Sequence, residues 1–188
     1  AAAMARERVT ERTYRQEWLA QFVEDGGGVF RGVPAAATAT TQTKAQDGHA
    51  YAIGADWGRS NDATVLTVLD MTTREVVAVD RFTQVEYRLQ LARLRALYER
   101  FNPVTIIAES NSMGGPLVEA LQHMDLPVQP FNTTNATKAA AIDALALAFE
   151  RGEIRIPNDP TLIGELQAYE MERLPSGLYR YSAPDGVH

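Results

Sequence analysis

Hydrophobic and polar positions change period several times along this chain, and each change predicts an element. Over the first 25 residues Tyr14, Trp18 and Phe22 recur at every fourth position among charged neighbours such as Arg8, Glu11, Arg15 and Glu17. That is the one-sided stripe of an amphipathic helix, which Gly26, Gly27 and Gly28 end. Residues 32–48 are rich in Ala, Thr and Gln, show no period, and read as a linker. Residues 50–56 and 63–70 read as strands. A turn at Met71-Thr72-Thr73-Arg74 leads to a third strand from Glu75 to Arg81, and the short connections predict an antiparallel meander. A helix from Glu86 to Phe101 follows, with Tyr87, Leu91, Leu94, Tyr98 and Phe101 on one face. After Pro103 the run Val104–Ala108 is almost wholly apolar, the pattern of a strand buried on both faces. The rest predicts a helix from Gly115 to Met124, a strand near Val128 and an Ala-rich helix from Lys138 to Arg151. A helix near Thr161–Glu170 and a strand near Leu178–Tyr181 complete it.

Three antiparallel strands followed by helix–strand–helix–strand–helix make an α/β fold, a mixed sheet with helices on both faces. Ribonuclease H-like domains use this order, as one of several three-layer α/β arrangements that composition does not separate. The organisation expected is a helix with its extension over 1–31, a linker over 32–48 and a compact α/β domain over 49–188.

Composition adds limits. Of 188 residues, 45% are hydrophobic and 22% charged, the balance of an ordinary globular domain. No apolar run approaches the ~18–20 residues of a membrane span, and no leader peptide is indicated, so the expected partners do not include a membrane. Cysteine is absent, which excludes disulfides and thiolate metal sites and leaves oxygen donors or the three histidines for any metal. The net charge of −6 speaks against tight autonomous binding to nucleic acid. A site that gathers carboxylates around cations carries such charge by design, and the bound ions reverse the local field.

Two acids sit where apolar strands stop. Asp56 ends the first strand in Gly54-Ala55-Asp56-Trp57-Gly58, and Glu109 ends the fourth in Ile106-Ile107-Ala108-Glu109-Ser110-Asn111. If those strands are parallel neighbours, both carboxylates emerge at the carboxyl edge of the sheet, where α/β sites form. Two carboxylates forced together repel, and a shared divalent cation relieves them; all-oxygen ligation selects Mg²⁺ or Mn²⁺. Each is also readable as an ordinary strand-end acid facing water. Gly54 and Gly58 permit close backbone approach by a ligand, or mark a bulge. Asp62, at the mouth of the second strand, is either a neighbour of Asp56 across a hairpin or a turn residue beside Asn61. His49 and His188 read as structural or exposed histidines, and His123 as a helix-end cap.

At these residues a family resemblance emerges. The stretch from Gly54 to Thr64 resembles the first motif of the nuclease domain of bacteriophage large terminase subunits, a ribonuclease H-like group, and Ile106–Asn111 resembles the second. Gly114-Gly115-Pro116, Thr137-Lys138 and Phe149–Ile154 are similar to its later helices and turn, and Glu17–Phe22 with Gly28–Phe30 to the connector after its packaging ATPase. The resemblance implies a metal-dependent endonuclease that cuts concatemeric viral double-stranded DNA during genome packaging, by two-metal phosphodiester hydrolysis. It implies Asp56 as the ligand bridging two Mg²⁺ or Mn²⁺ ions, Glu109 as a ligand of one, and Asp62 as an accessory ligand. Arg59 and Lys138 are the candidates for phosphate contact, each otherwise a solvated side chain. Implied partners are double-stranded DNA, the N-terminal ATPase domain of the same protein, the portal protein and the small terminase subunit, in the host cell cytoplasm at the procapsid. No G-x-x-x-x-G-K-[ST] pattern occurs in the chain, so the ATPase is not among these residues. The family's last acids follow a Gly-x-His sequence, which here is Gly186-Val187-His188; they are expected beyond His188, with Asp185 the nearest carboxylate inside the chain. The alternatives are a resolvase- or integrase-type nuclease of the same fold, a sugar-kinase-like ATPase, and a catalytically silent docking module of the packaging motor.

Overall fold

The computed structural model describes residues 9–11, 13, 14, 28–58, 62–111, 114–173 and 179–182. They fall into two compact units, one built from 38–134 and 155–157, the other from the described parts of 1–37, 135–154 and 158–187.

The first unit holds a five-stranded sheet. Its strands are β1 (Tyr51–Asp56), β2 (Thr64–Asp70), β3 (Glu75–Phe82), β4 (Thr105–Glu109) and β5 (Val128–Phe131), in the order β3-β2-β1-β4-β5. β1–β2 and β2–β3 pair antiparallel, while β1–β4 and β4–β5 pair parallel. Pro130 is tolerated in β5 because that strand lies at the sheet edge, where a missing N–H costs least. Mixed pairing in this order, with helices in the crossovers, is the ribonuclease H-like arrangement the sequence predicts.

Alternation along the strands decides which face carries the core. Tyr51, Ile53 and Ala55 of β1, Leu66 and Val68 of β2, and Ile106 and Ala108 of β4 are buried together. Against them pack Leu94, Leu97 and Phe101 of the first crossover helix (Tyr87–Phe101) and Leu117, Val118 and Leu121 of the second (Gly114–His123). The first of these helices stops because Asn102 turns left-handed (φ 43) while its N–H still reaches the Tyr98 carbonyl, and Pro103 cannot continue. His123 closes the second by bonding the Glu119 carbonyl one turn back, the capping role expected of it. The reading of the fourth strand as buried on both faces needs correction. Ile107 is 45% exposed, because the two crossover helices of this unit cover the face of Ile106 and Ala108.

The stretch 38–48, within the predicted linker, is tied to this unit by backbone bonds from Gln42 to Val77 and from Ala45 to Arg100. At the opposite sheet end from the candidate acids, Asp70 is fully buried and accepts from His49 Nδ1 (2.7 Å) and from the N–H groups of Thr72 and Thr73, which closes the β2–β3 turn.

In order of the chain, the second unit contains α1 (Val33–Ala36), then two longer helices, Asn135–Glu150 and Pro160–Ala168, and a hairpin of β6 (Glu170–Arg173) and β7 (Tyr179–Ser182). Phe30 packs its ring against Phe149 and Tyr169. Asp159 caps its helix by accepting from the Leu162 N–H, with Pro160 in the first turn. The helix predicted to reach Glu170 therefore ends at Ala168, and Glu170 opens β6, an element the periodicity did not show. Of the helix predicted over the first 25 residues, a turn near Thr10 and Tyr14 is described, and the rest lies outside the described residues.

Candidate active site

β1 and β4 run parallel in the register Ala52–Thr105, Ile53–Ile106, Gly54–Ile107 and Ala55–Ala108. One step further along both strands come Asp56 and Glu109, the last residue of each. They therefore stand side by side, on backbones about 4.8 Å apart. Alternation puts both on the face opposite Ala55 and Ala108, with Asp56 exposed and Glu109 half-buried. On the same face, two residues back, are Gly54 and Ile107. A Cβ placed on Gly54 would meet nothing within 4 Å, so this glycine keeps the surface beside the carboxylates low rather than serving internal packing.

The loop after β1 is fixed differently. A Cβ on Gly58 would come within 2.3 Å of the Asp62 carbonyl oxygen, so Gly58 is required by the chain's own backbone, not by an approaching ligand. Its N–H donates to Thr64 Oγ1 (2.9 Å), the Thr64 hydroxyl donates to Gln90 Oε1 (3.0 Å), and Gln90 Nε2 donates to the Val85 carbonyl (2.8 Å). Thr64 and Gln90 are buried, so this chain of bonds ties the residue two positions after Asp56 to the first crossover helix through shielded side chains.

β4 is anchored from the other side. The indole N–H of Trp57 donates to the Glu109 main-chain carbonyl (3.1 Å). A Cβ on Gly114 would fall 2.0 Å from that same oxygen and 3.2 Å from Trp57 Cδ1. Asn111 exchanges two bonds with Thr133, its amide nitrogen donating to the Thr133 carbonyl and its oxygen accepting the Thr133 N–H, both at 2.7 Å. Residues after β4 and after β5 are thereby locked together just beyond Glu109.

The sequence candidates are placed unequally. Asp56 and Glu109 are brought together. Asp62 is exposed and borders a cleft of ≈ 490 Å³ at the start of the first crossover helix, with Thr64, Glu86, Arg88 and Gln90. Among the described residues no group of three or more His, Asp or Glu side chains stands close enough to hold a metal ion. Lys138 is exposed in the helix Asn135–Glu150 of the other unit. Arg59, Asp185 and His188 lie outside the described residues. Arg93, Arg95 and Arg100 are occupied structurally. Arg93 bonds Asp80 and lies over the Phe82 ring, Arg95 pairs with Glu99, and Arg100 donates to the Thr43 carbonyl. Trp57, Gln90, Gly114 and the Asn111–Thr133 exchange were not read from the sequence as parts of the site. Trp57 stands in the first motif and Asn111 in the second, but their roles depend on partners far along the chain, Glu109 and Thr133.

A ribonuclease H-like sheet with in-register acids at the ends of its first and fourth strands defines the class, and the comparisons narrow it. The chain belongs to the Terminase RNaseH-like domain family, whose model matches residues 53–179. It is 29% identical over 178 residues to the large terminase subunit of Thermus virus P23-45, covering 90% of this chain and 37% of that protein. The chain thus spans little more than a third of the curated relatives it matches. Among solved structures it is similar to the large terminase nuclease of thermophilic phage G20c with bound magnesium, at 27% identity and a TM-score of 0.79 over 87% of this chain and 91% of that one. The same nuclease with bound cobalt matches equally well, with a TM-score of 0.79. Membership in the terminase family separates the chain from the resolvases, integrases and sugar kinases considered above.

Proposed function

We propose that this chain is a divalent-metal-dependent endonuclease that cuts concatemeric viral double-stranded DNA during genome packaging, with Asp56 and Glu109 as its central acids. The observation that carries this reading is their register at the carboxyl ends of adjacent parallel strands, on one face beside the low surface of Gly54. The donor set fits a hard cation: two carboxylates, no sulfur, one exposed and one half-buried. The magnesium and cobalt held by the related G20c nuclease support the same reading.

Asp56 would be a ligand of both ions, Glu109 of one, and Asp62 an accessory ligand, direct or through water. When bound, the ions supply Lewis-acid stabilisation of charge building on the scissile phosphate and ease deprotonation of the attacking water. The protein's part is placement. The Gly58–Thr64–Gln90 bonds hold the Asp56 loop, and Trp57, Gly114 and Asn111 hold the end of β4, so the backbones that carry both carboxylates are fixed before substrate arrives. Arg59 and Lys138 contact phosphates, which gives affinity without sequence readout. The partners proposed are double-stranded DNA, an N-terminal ATPase domain in the same polypeptide, the portal protein and the small terminase subunit, at the procapsid in the host cytoplasm.

The test is incubation with supercoiled plasmid in Mn²⁺, Mg²⁺ or EDTA, beside Asp56→Ala. Nicking and linearisation that need metal and vanish in the variant are expected. Cleavage in EDTA, or cleavage that survives Asp56→Ala, overturns the assignment. No cleavage in any metal leaves two readings, a silent docking module and a nuclease that needs the acids expected beyond His188, and adding the residues after His188 decides between them.

A further inference from the structure

We propose that Trp57 is a positioning residue that sets the separation of the two site carboxylates through the main chain of Glu109. Trp57 is covalently next to Asp56, and its side chain bonds the backbone of Glu109, so one residue touches both acids' backbones. The regular ladder does not do this work at that level. Its last registered pair is Ala55–Ala108, one residue short of the two acids. On β4, the N–H groups of Ile106 and Ser110 bond β5, at Pro127 and Phe131. Strand alternation therefore turns the Glu109 backbone toward β1. There the Trp57 indole N–H supplies the donor to its carbonyl, from a side chain rather than from the strand ladder. Trp57 is 7% exposed, and its ring edge fills the space against Gly114, so the bond is shielded from water and its geometry is locked by packing. Gly114 closes the other side: any side chain there would displace the carbonyl that Trp57 holds. The motif's tryptophan is thus a staple across the catalytic edge, not merely a core residue.

This inference rests on Asp56 and Glu109 being the metal-holding acids, and the test separates the two. Mn²⁺ binding to the full chain is measured by calorimetry for wild type, Trp57→Phe, Glu109→Gln and the double variant, with unfolding midpoints alongside. Phe keeps the aromatic volume and removes the N–H. Trp57→Phe is expected to weaken Mn²⁺ binding about tenfold, the lower end for loss of an outer-shell partner. Combined with Glu109→Gln it should add nothing further, since it acts through Glu109. In plasmid cleavage kcat should fall while KM for DNA stays constant. Unchanged Mn²⁺ affinity in a folded Trp57→Phe protein, with only its midpoint lowered, overturns the staple and leaves the acids standing. Unchanged affinity in Glu109→Gln overturns the site itself. Should Trp57→Phe not fold, the Trp18→Phe protein gives a second measurement, because Trp57 is then the sole tryptophan of the two. Paramagnetic Mn²⁺ should quench Trp57 emission at the calorimetric midpoint, and Glu109→Gln should abolish the quench. Full emission at saturating Mn²⁺ would contradict the proposal.

Discussion

Asp56 and Glu109 end adjacent parallel strands, each one residue past the registered pair Ala55–Ala108, so two carboxylates share one face at the carboxyl edge of the sheet. At a separation near 5 Å like charges repel by roughly 1 kcal/mol in a water-like dielectric, and by several times more as the site dries. A bound cation would offset that repulsion. Glu109→Gln should therefore be neutral or slightly stabilising in EDTA, yet lose the stabilisation Mn²⁺ gives the wild type. Thermal unfolding with and without Mn²⁺ reads both effects. Equal Mn²⁺ stabilisation of both proteins would count against a shared ion.

The glycines near the site predict opposite outcomes. Gly54→Ala should fold normally, because nothing lies within 4 Å of the added methyl. Gly114→Ala and Gly58→Ala force a Cβ into backbone atoms and should lower the unfolding midpoint clearly. A larger residue, Gly54→Val, should fold and yet cleave plasmid more slowly, since it raises the surface beside the acids. Full activity in Gly54→Val would place the substrate elsewhere.

The buried Thr64–Gln90 bonds predict a stability effect. Thr64→Val keeps the shape and removes the hydroxyl, leaving the Gly58 N–H and Gln90 Oε1 without that partner. The expected loss is about 1–3 kcal/mol. In a domain of this size each kcal/mol lowers the midpoint by ~2–4 °C. Differential scanning calorimetry checks it, and an unchanged midpoint would remove this network from the account.

Acid stability should depend on Asp70. Burial pushes its carboxyl upward, but the bonds from His49 and from the Thr73 and Thr72 N–H groups outweigh this and hold it below its ordinary value of 3.8. A depressed folded-state value means the stabilisation is present above the unfolded-state value and is lost as pH falls through the folded one. The wild type should thus lose stability below about pH 4. Asp70→Asn should start about 1–3 kcal/mol lower at pH 7 and change less on acidification. Parallel pH curves for the two proteins would refute this.

Strand periods made most of the sheet unit legible, because alternation in β2 reflects burial on one face; of the stripe predicted for the Glu86–Phe101 helix, Leu94 and Phe101 are buried, but Tyr87 is 43% exposed and Gln90 and Leu97 are buried in its stead. The positions of Asp56 and Glu109 were readable for the same reason: an acid ending an apolar run is visible in sequence. Their in-register neighbourhood was conditional on strand order, which local pattern does not encode. Less was legible where backbone bonds replace side-chain burial. Residues 38–48 show no period because Gln42 and Ala45 are held through main-chain groups. β6 was missed because Glu170–Arg173 pairs only with β7 and carries no apolar alternation. The fourth strand looked buried on both faces because Ile106 and Ile107 are identical in sequence and opposite in exposure. Trp57, Gly114 and Gln90 were hidden because each acts on a partner tens of residues away or on a main-chain atom.

The most direct test of the central claim is a crystal structure of the full chain soaked in Mn²⁺, with anomalous scattering used to locate the metal. A peak within coordination distance of carboxylate oxygens from both Asp56 and Glu109 is expected. A peak elsewhere, or bound Mn²⁺ touching neither residue, would contradict it.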